Sequence, residues 1–92
     1  MTEKIRKRLI FHGRVQGVGF RYRATGLALS IGLTGWVQNE SDGTVSMEVQ
    51  GSGEQIDKLL ITLNKSDFIR IDHLDSAKIA VKSDEKKFRI QY

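Results

Sequence analysis

The apolar residues of this chain change period twice, in the same direction each time, and that narrows the folds open to it. From Arg8 to Val15 the residues alternate, with Leu9, Phe11, Gly13 and Val15 on one side and Ile10, His12 and Arg14 on the other. Period two predicts a strand. From Phe20 the apolar positions Phe20, Ala24, Leu27, Ala28 and Ile31 recur on one helical face, and Gly32 follows as a C′ stop. "LTGWVQN" then reads as a second strand, "ESDG" as a turn, and "TVSMEVQG" as a third strand in which Val45, Met47 and Val49 alternate. These two strands form a hairpin. Ser52 and Gln55 make a capping box ahead of Ile56, Leu59, Leu60 and Leu63, a second helix ending near Asn64. After a connection around Lys65 to Ile71, Ala77, Ile79 and Val81 alternate as a fourth strand, and "KKFRIQY" adds a short fifth through Phe88, Ile90 and Tyr92.

The order β-α-β-β-α-β buries two amphipathic helices against a single sheet most simply as a ferredoxin-like sandwich. This is an α+β fold with an antiparallel sheet and both helices on one face. Ninety-two residues suffice for one domain, which buries about 60–65% of the surface its unfolded chain exposes. There is no proline and no cysteine, so disulfides, thiolate zinc sites and a cysteine nucleophile are excluded together. No apolar run reaches the roughly 20 residues of a membrane span, and "MTEKIRKRLIF" lacks the apolar core and cleavage site of a secretory signal. We therefore expect a cytoplasmic protein, acting as a monomer and not on membranes. The net charge of +4 and pI near 9.6 favour an anionic partner, either a phosphorylated small molecule or nucleic acid.

The strand-to-helix junction "GRVQGVGFR", residues 13 to 21, is the stretch most suited to an anion. A glycine-rich loop at such a junction turns backbone N–H groups inward, and the helix behind it adds a favourable field. The loop is not a Walker A motif, because no Lys-Ser/Thr pair follows its last glycine. Nor is it a dinucleotide fingerprint, because Tyr22 stands where a third glycine is needed. Five residues, Gln16 to Phe20, separate Val15 from Arg21, the spacing of the anion loop in cysteine phosphatases, but valine occupies the nucleophile's place. No Cys, Ser, Thr, Asp or His lies between Arg14 and Arg21, so no loop residue can form a phosphoenzyme. Spacing alone leaves two readings: a tight turn followed by a solvated arginine, or an anion cradle. An arginine in the first helical turn opposes the macrodipole unless an anion lies between them.

"GRVQGVGFR" and the downstream "GLTGWVQNESDG", residues 32 to 43, together resemble the two signatures of the acylphosphatase family. The resemblance extends over nearly the whole chain, including the element order and the closing "FRIQY", and implies a single acylphosphatase-like domain over residues 1–92. It implies hydrolysis of the carboxyl–phosphate bond of a small-molecule acyl phosphate, giving a carboxylate and inorganic phosphate, with no cofactor. In that family pattern the backbone amides of Val15, Gln16, Gly17, Val18, Gly19 and Phe20, with the guanidinium of Arg21, bind the phosphoryl group. Arg21 and Asn39 are the catalytic pair, Asn39 orienting the attacking water. The chain departs from the pattern in "NKSDFIRIDHLD", which lacks the expected Gly/Pro-rich character, and at Ser46, where an acidic residue is frequent.

Apart from the resemblance, Asn39 reads as a polar residue closing a strand before a turn, and Glu40 and Asp42 read as turn chemistry. His12 and His73 read as structural or exposed, not as general bases. Trp36 reads as core or sheet surface. No set of His, Asp and Glu has metal-ligand spacing along the chain, so no metal is expected for activity. Two other functions compete. One is a non-catalytic phosphate- or anion-binding module. The other is an RNA-binding ferredoxin-like module, which calls for stacking aromatics on the third strand, and "TVSMEVQG" has none.

Overall fold

The computed structural model describes residues 3–92. The chain runs β1 (Lys4–Arg14), α1 (Phe20–Ile31), β2 (Thr34–Asn39), β3 (Val45–Ser52), α2 (Gly53–Asn64), β4 (Arg70–Ile79) and β5 (Phe88–Ile90). The strands form one sheet in the order β4-β1-β3-β2-β5. Each neighbouring pair among the first four is antiparallel, as the ferredoxin-like reading requires. β5 is parallel to β2, pairing Gly35 with Phe88 and Val37 with Ile90, so the whole sheet is mixed. The chain leaves β4 at one edge and reaches the other edge through residues 80–87, which enter beside β2 in its own direction.

Both helices lie on one face. Phe20, Ala24 and Ala28 of α1, with Ile56, Leu59 and Leu63 of α2, are buried. They meet Leu9, Phe11, Val37, Val45, Met47 and Val49 from the strands. Each fully buried Leu, Ile, Val or Phe contributes about 1.5–3 kcal/mol. The period-two alternation is what places these residues on the helix-facing side, and their neighbours on the other. At α2 the capping box forms. The Ser52 hydroxyl accepts from the Gln55 backbone N–H at 3.1 Å, and the Gln55 side chain accepts from the Ser52 backbone N–H at 2.9 Å. The Gln55 amide also donates to the Ile31 carbonyl at 3.0 Å, so one side chain serves the start of α2 and the end of α1. Among the described residues no helix is long and apolar enough to cross a membrane.

β4 differs from the sequence reading. It begins at Arg70 instead of near Ala77 and ends at Ile79, leaving Val81 outside the strand and 44% exposed. Its register explains why. Ile71 lies opposite Gly13 and His73 opposite His12, so Asp72 is an extra residue that shifts the alternation. Before this bulge Ile71 packs against the core, and after it Leu74 does, opposite the buried Phe11. A spacing of three between core residues hides the strand from a period-two search. Ala77 and Ile79 lie opposite Arg8 and Arg6, on the face away from the helices. Tyr92, read as continuing the last strand, lies beyond β5 and is 88% exposed.

That outer face carries a buried arginine. Arg6 has no exposed surface. Its Nε donates to Glu48 at 2.9 Å, and its Nη1 and Nη2 donate to the two carboxylate oxygens of Glu85 at 2.7 and 3.2 Å. Gln50, beside it, exchanges hydrogen bonds with the backbone of Lys82 at 2.8 and 2.9 Å. Residues 80–87 are thereby pinned across the sheet as they cross from β4 to β5. Burial by itself would raise the Glu85 pKa, but the hydrogen bonds and charge of Arg6 outweigh it and hold the carboxyl below its ordinary value. A carboxylate with a depressed folded pKa stabilises the fold above its unfolded pKa and loses that contribution as the pH falls through the folded one. Denaturant titrations are therefore expected to show stability falling below about pH 4, with a smaller fall in Glu85→Gln.

Candidate active site

At the end of β1 the chain passes through Val15 to Gly19 and enters α1 at Phe20. Gly17 and Gly19 have φ of 71° and 78°, the left-handed region that side-chain-bearing residues avoid. A Cβ on either would meet nothing within 4 Å, so glycine serves the backbone turn and not a tight packing contact. Gly19 is the N-cap of α1 and offers no side-chain cap, and no acidic residue lies in the first turn. The first N–H groups of the helix are therefore left for an external acceptor. Phe20 anchors the junction, its ring buried and 4.9 Å from that of Phe11.

Gln16 anchors the other side of the loop. Its amide donates to the Glu40 and Thr44 carbonyls at 2.7 and 2.8 Å, tying the loop to the β2–β3 turn. That turn is itself held by Asp42, which accepts from the Thr44 N–H at 3.0 Å and hydroxyl at 2.6 Å. These two hydrogen bonds, chiefly the one from the Thr44 hydroxyl, lower the Asp42 pKa. Ser46, at the departure from the family pattern, hydrogen-bonds the Glu40 carboxylate.

Asn39 closes β2. It pairs with Val45, which also pairs with Phe11, so its side chain emerges on the helix-facing side next to the loop. A pocket of about 190 Å³ opens there, lined by Val15, Gly17, Gly19, Phe20, Arg21, Tyr22 and Asn39. Sites for drug-sized ligands occupy about 300–1,000 Å³; this one suits a phosphoryl-sized group. The Asn39 Oδ1 is buried and accepts no hydrogen bond among the described residues, and a buried acceptor of this kind calls for a donor. Arg21 makes no ion pair among the described residues. Its guanidinium carbon stands 5.4 Å from the centre of the Tyr92 ring, within cation–π range.

Of the residues singled out by the sequence, Val15, Gly17, Gly19, Phe20, Arg21 and Asn39 share this pocket. Gln16 and Val18 do not line it: Gln16 turns to the hairpin, and Val18 packs on the edge of the core. Tyr22 and Tyr92 were missed. Tyr22 adjoins Arg21 in the first helical turn, a position that signals access to the same opening. Tyr92 has no local signal, because only the parallel docking of β5 brings the chain end to the loop.

The family model described as acylphosphatase matches residues 7–90. An acylphosphatase of Geobacillus kaustophilus is 47% identical over 88 residues, covering 95% of this chain and 94% of that protein. One from Clostridium acetobutylicum is 42% identical, covering 87% of this chain and 89% of that protein. Among solved structures, the acylphosphatase of Bacillus subtilis superposes with a TM-score of 0.87 at 30% identity, covering 96% of this chain and 99% of that one. Matched by that family model over residues 7–90 and by these relatives over most of its length, the chain belongs to the acylphosphatase family.

Proposed function

We propose that the loop Val15–Phe20 and Arg21 bind the phosphoryl group of a small-molecule acyl phosphate while Asn39 positions a water for in-line attack on phosphorus, releasing a carboxylate and inorganic phosphate. The observation that carries this reading is the convergence of Asn39, Arg21 and the uncapped helix start on one small pocket. Phosphoryl transfer asks the protein chiefly to position the reactants and to stabilise charge on the equatorial oxygens. Fixed N–H donors and a planar guanidinium do this without reorganising.

An amide cannot act as a base, and no carboxylate or imidazole is among the lining residues. The chemistry does not need one. The leaving group is a carboxylate, stable without protonation at neutral pH, and the water proton passes to a phosphoryl oxygen of the substrate as the P–O bond to water forms and the P–O bond to the acyl group breaks.

Asn39→Ala tests the assignment. We expect kcat for benzoyl phosphate to fall about 100-fold or more, the scale of a misplaced reactant, while competitive inhibition by inorganic phosphate stays nearly unchanged. Loss of both together would make Asn39 a binding group. Wild-type protein that binds phosphate but does not turn over benzoyl phosphate would leave the non-catalytic anion-binding reading.

A further inference from the structure

On the sheet face opposite the helices, the pairing of β1 with β4 sets His12 directly across from His73. The ring centres are 5.2 Å apart. Asp75, two residues beyond His73 on the same strand face, reaches between them. One of its oxygens lies 2.8 Å from His12 Nε2 and the other 2.9 Å from His73 Nε2. A ligand atom from each of the three residues falls within 4.8 Å of the others.

We propose that His12, His73 and Asp75 form a binding site for a divalent transition-metal ion of the zinc class. Two imidazole nitrogens and one carboxylate oxygen are borderline donors that suit zinc, cobalt or nickel, whereas magnesium and calcium prefer sites made of oxygen. Zinc held at about 2.0–2.2 Å from each donor would keep its ligands roughly 3.3 Å apart in a tetrahedral site. The two observed N···O separations are already close to that. The nitrogens close the remaining distance by side-chain rotation, which is open to groups whose side chains are 39% (His12) and 65% (His73) exposed. Asp42 and Glu40 line the same depression as His12 and Asp75, with Arg8 as the one cation beside them among the described residues.

The site is separate from the phosphoryl pocket, none of whose lining residues it uses, so the proposal places no step of hydrolysis on the ion. It bridges β1 to the edge strand β4 beside the bulge at Asp72 and holds the two together. An ion that binds only the folded chain stabilises it by mass action.

Calorimetric titration of the full chain with zinc chloride, with magnesium and calcium chlorides as controls, tests this. The expected result is one zinc per chain, no comparable binding of the controls, and a melting temperature raised by zinc. His73→Gln and Asp75→Asn should each weaken zinc binding about 100-fold, toward the upper range of losses seen even for outer-shell partners, without changing the circular dichroism of the folded chain. Cobalt added to the wild type should give the visible bands of a four- or five-coordinate nitrogen–oxygen site, and His12→Gln should abolish them. Zinc binding to the wild type that is no tighter than to His73→Gln, or cobalt spectra that do not differ from those of the aqueous ion, would overturn the proposal.

Discussion

Arg21→Ala is expected to lower kcat/KM for benzoyl phosphate by about 10³- to 10⁵-fold, the range attached to an arginine that stabilises a transferring phosphoryl group. That corresponds to roughly 4–7 kcal/mol of transition-state stabilisation. The loss should extend to inhibition by inorganic phosphate, which separates Arg21 from Asn39. Arg21→Lys should recover only part of the activity, because an ammonium supplies charge without the planar fork. The fold should not suffer. Arg21 is half-buried and makes no ion pair among the described residues, and it places a cation against the positive end of α1. Stability of the alanine variant is therefore expected to be equal to or slightly above that of the wild type by denaturant titration, a residue kept for function at a small cost to folding. Activity within tenfold of wild type would remove Arg21 from the chemistry.

Arg6→Ala should have the opposite profile. It leaves Glu85 and Glu48 facing an emptied position on the outer sheet face, with Glu48 retaining, among the described residues, only Arg8 at 3.3 Å and Lys82 at 4.0 Å. Removing one partner from a buried ion pair typically costs about 3–5 kcal/mol. A large share of a small domain's stability is then lost, together with the pinning of residues 80–87 and the docking of β5. Arg6 lines no part of the phosphoryl pocket, so the variant that remains folded at low temperature should keep its KM. Urea titration measures the effect. A loss below about 1 kcal/mol would place the network among ordinary surface pairs.

Elements governed by short-range pattern were legible in the sequence. Both helices begin and end where the apolar stripe, Gly32 and the Ser52–Gln55 box place them, because caps and periodicity act within a few residues. The hairpin was legible for the same reason. β4 was not, since the bulge at Asp72 breaks the alternation and its phase is set by pairing with β1. The parallel docking of β5 and the burial of Arg6 likewise depend on where residues 80–87 cross the sheet. At the site, the spacing of "GRVQGVGFR" excluded the familiar nucleotide loops but left its guest open, and Asn39 stood out only through the family resemblance. What joins Asn39 to the loop is the β2–β3 register and the Gln16 clamp, neither of which has a local signal. His12, His73 and Asp75 are brought together by strand pairing across 63 positions, a distance at which spacing along the chain carries no information.

In the proposed reaction water attacks phosphorus directly while the protein holds the phosphoryl group. The stereochemical course measures this. An acyl thiophosphate made chiral at phosphorus with ¹⁸O is hydrolysed in water enriched in ¹⁷O, and the thiophosphate product is assigned by phosphorus NMR. One in-line displacement predicts ¹⁷O in the thiophosphate with inversion of configuration. Retention, which requires a covalent phosphoenzyme, or ¹⁷O appearing in the carboxylate, which requires attack at the acyl carbon, would contradict it.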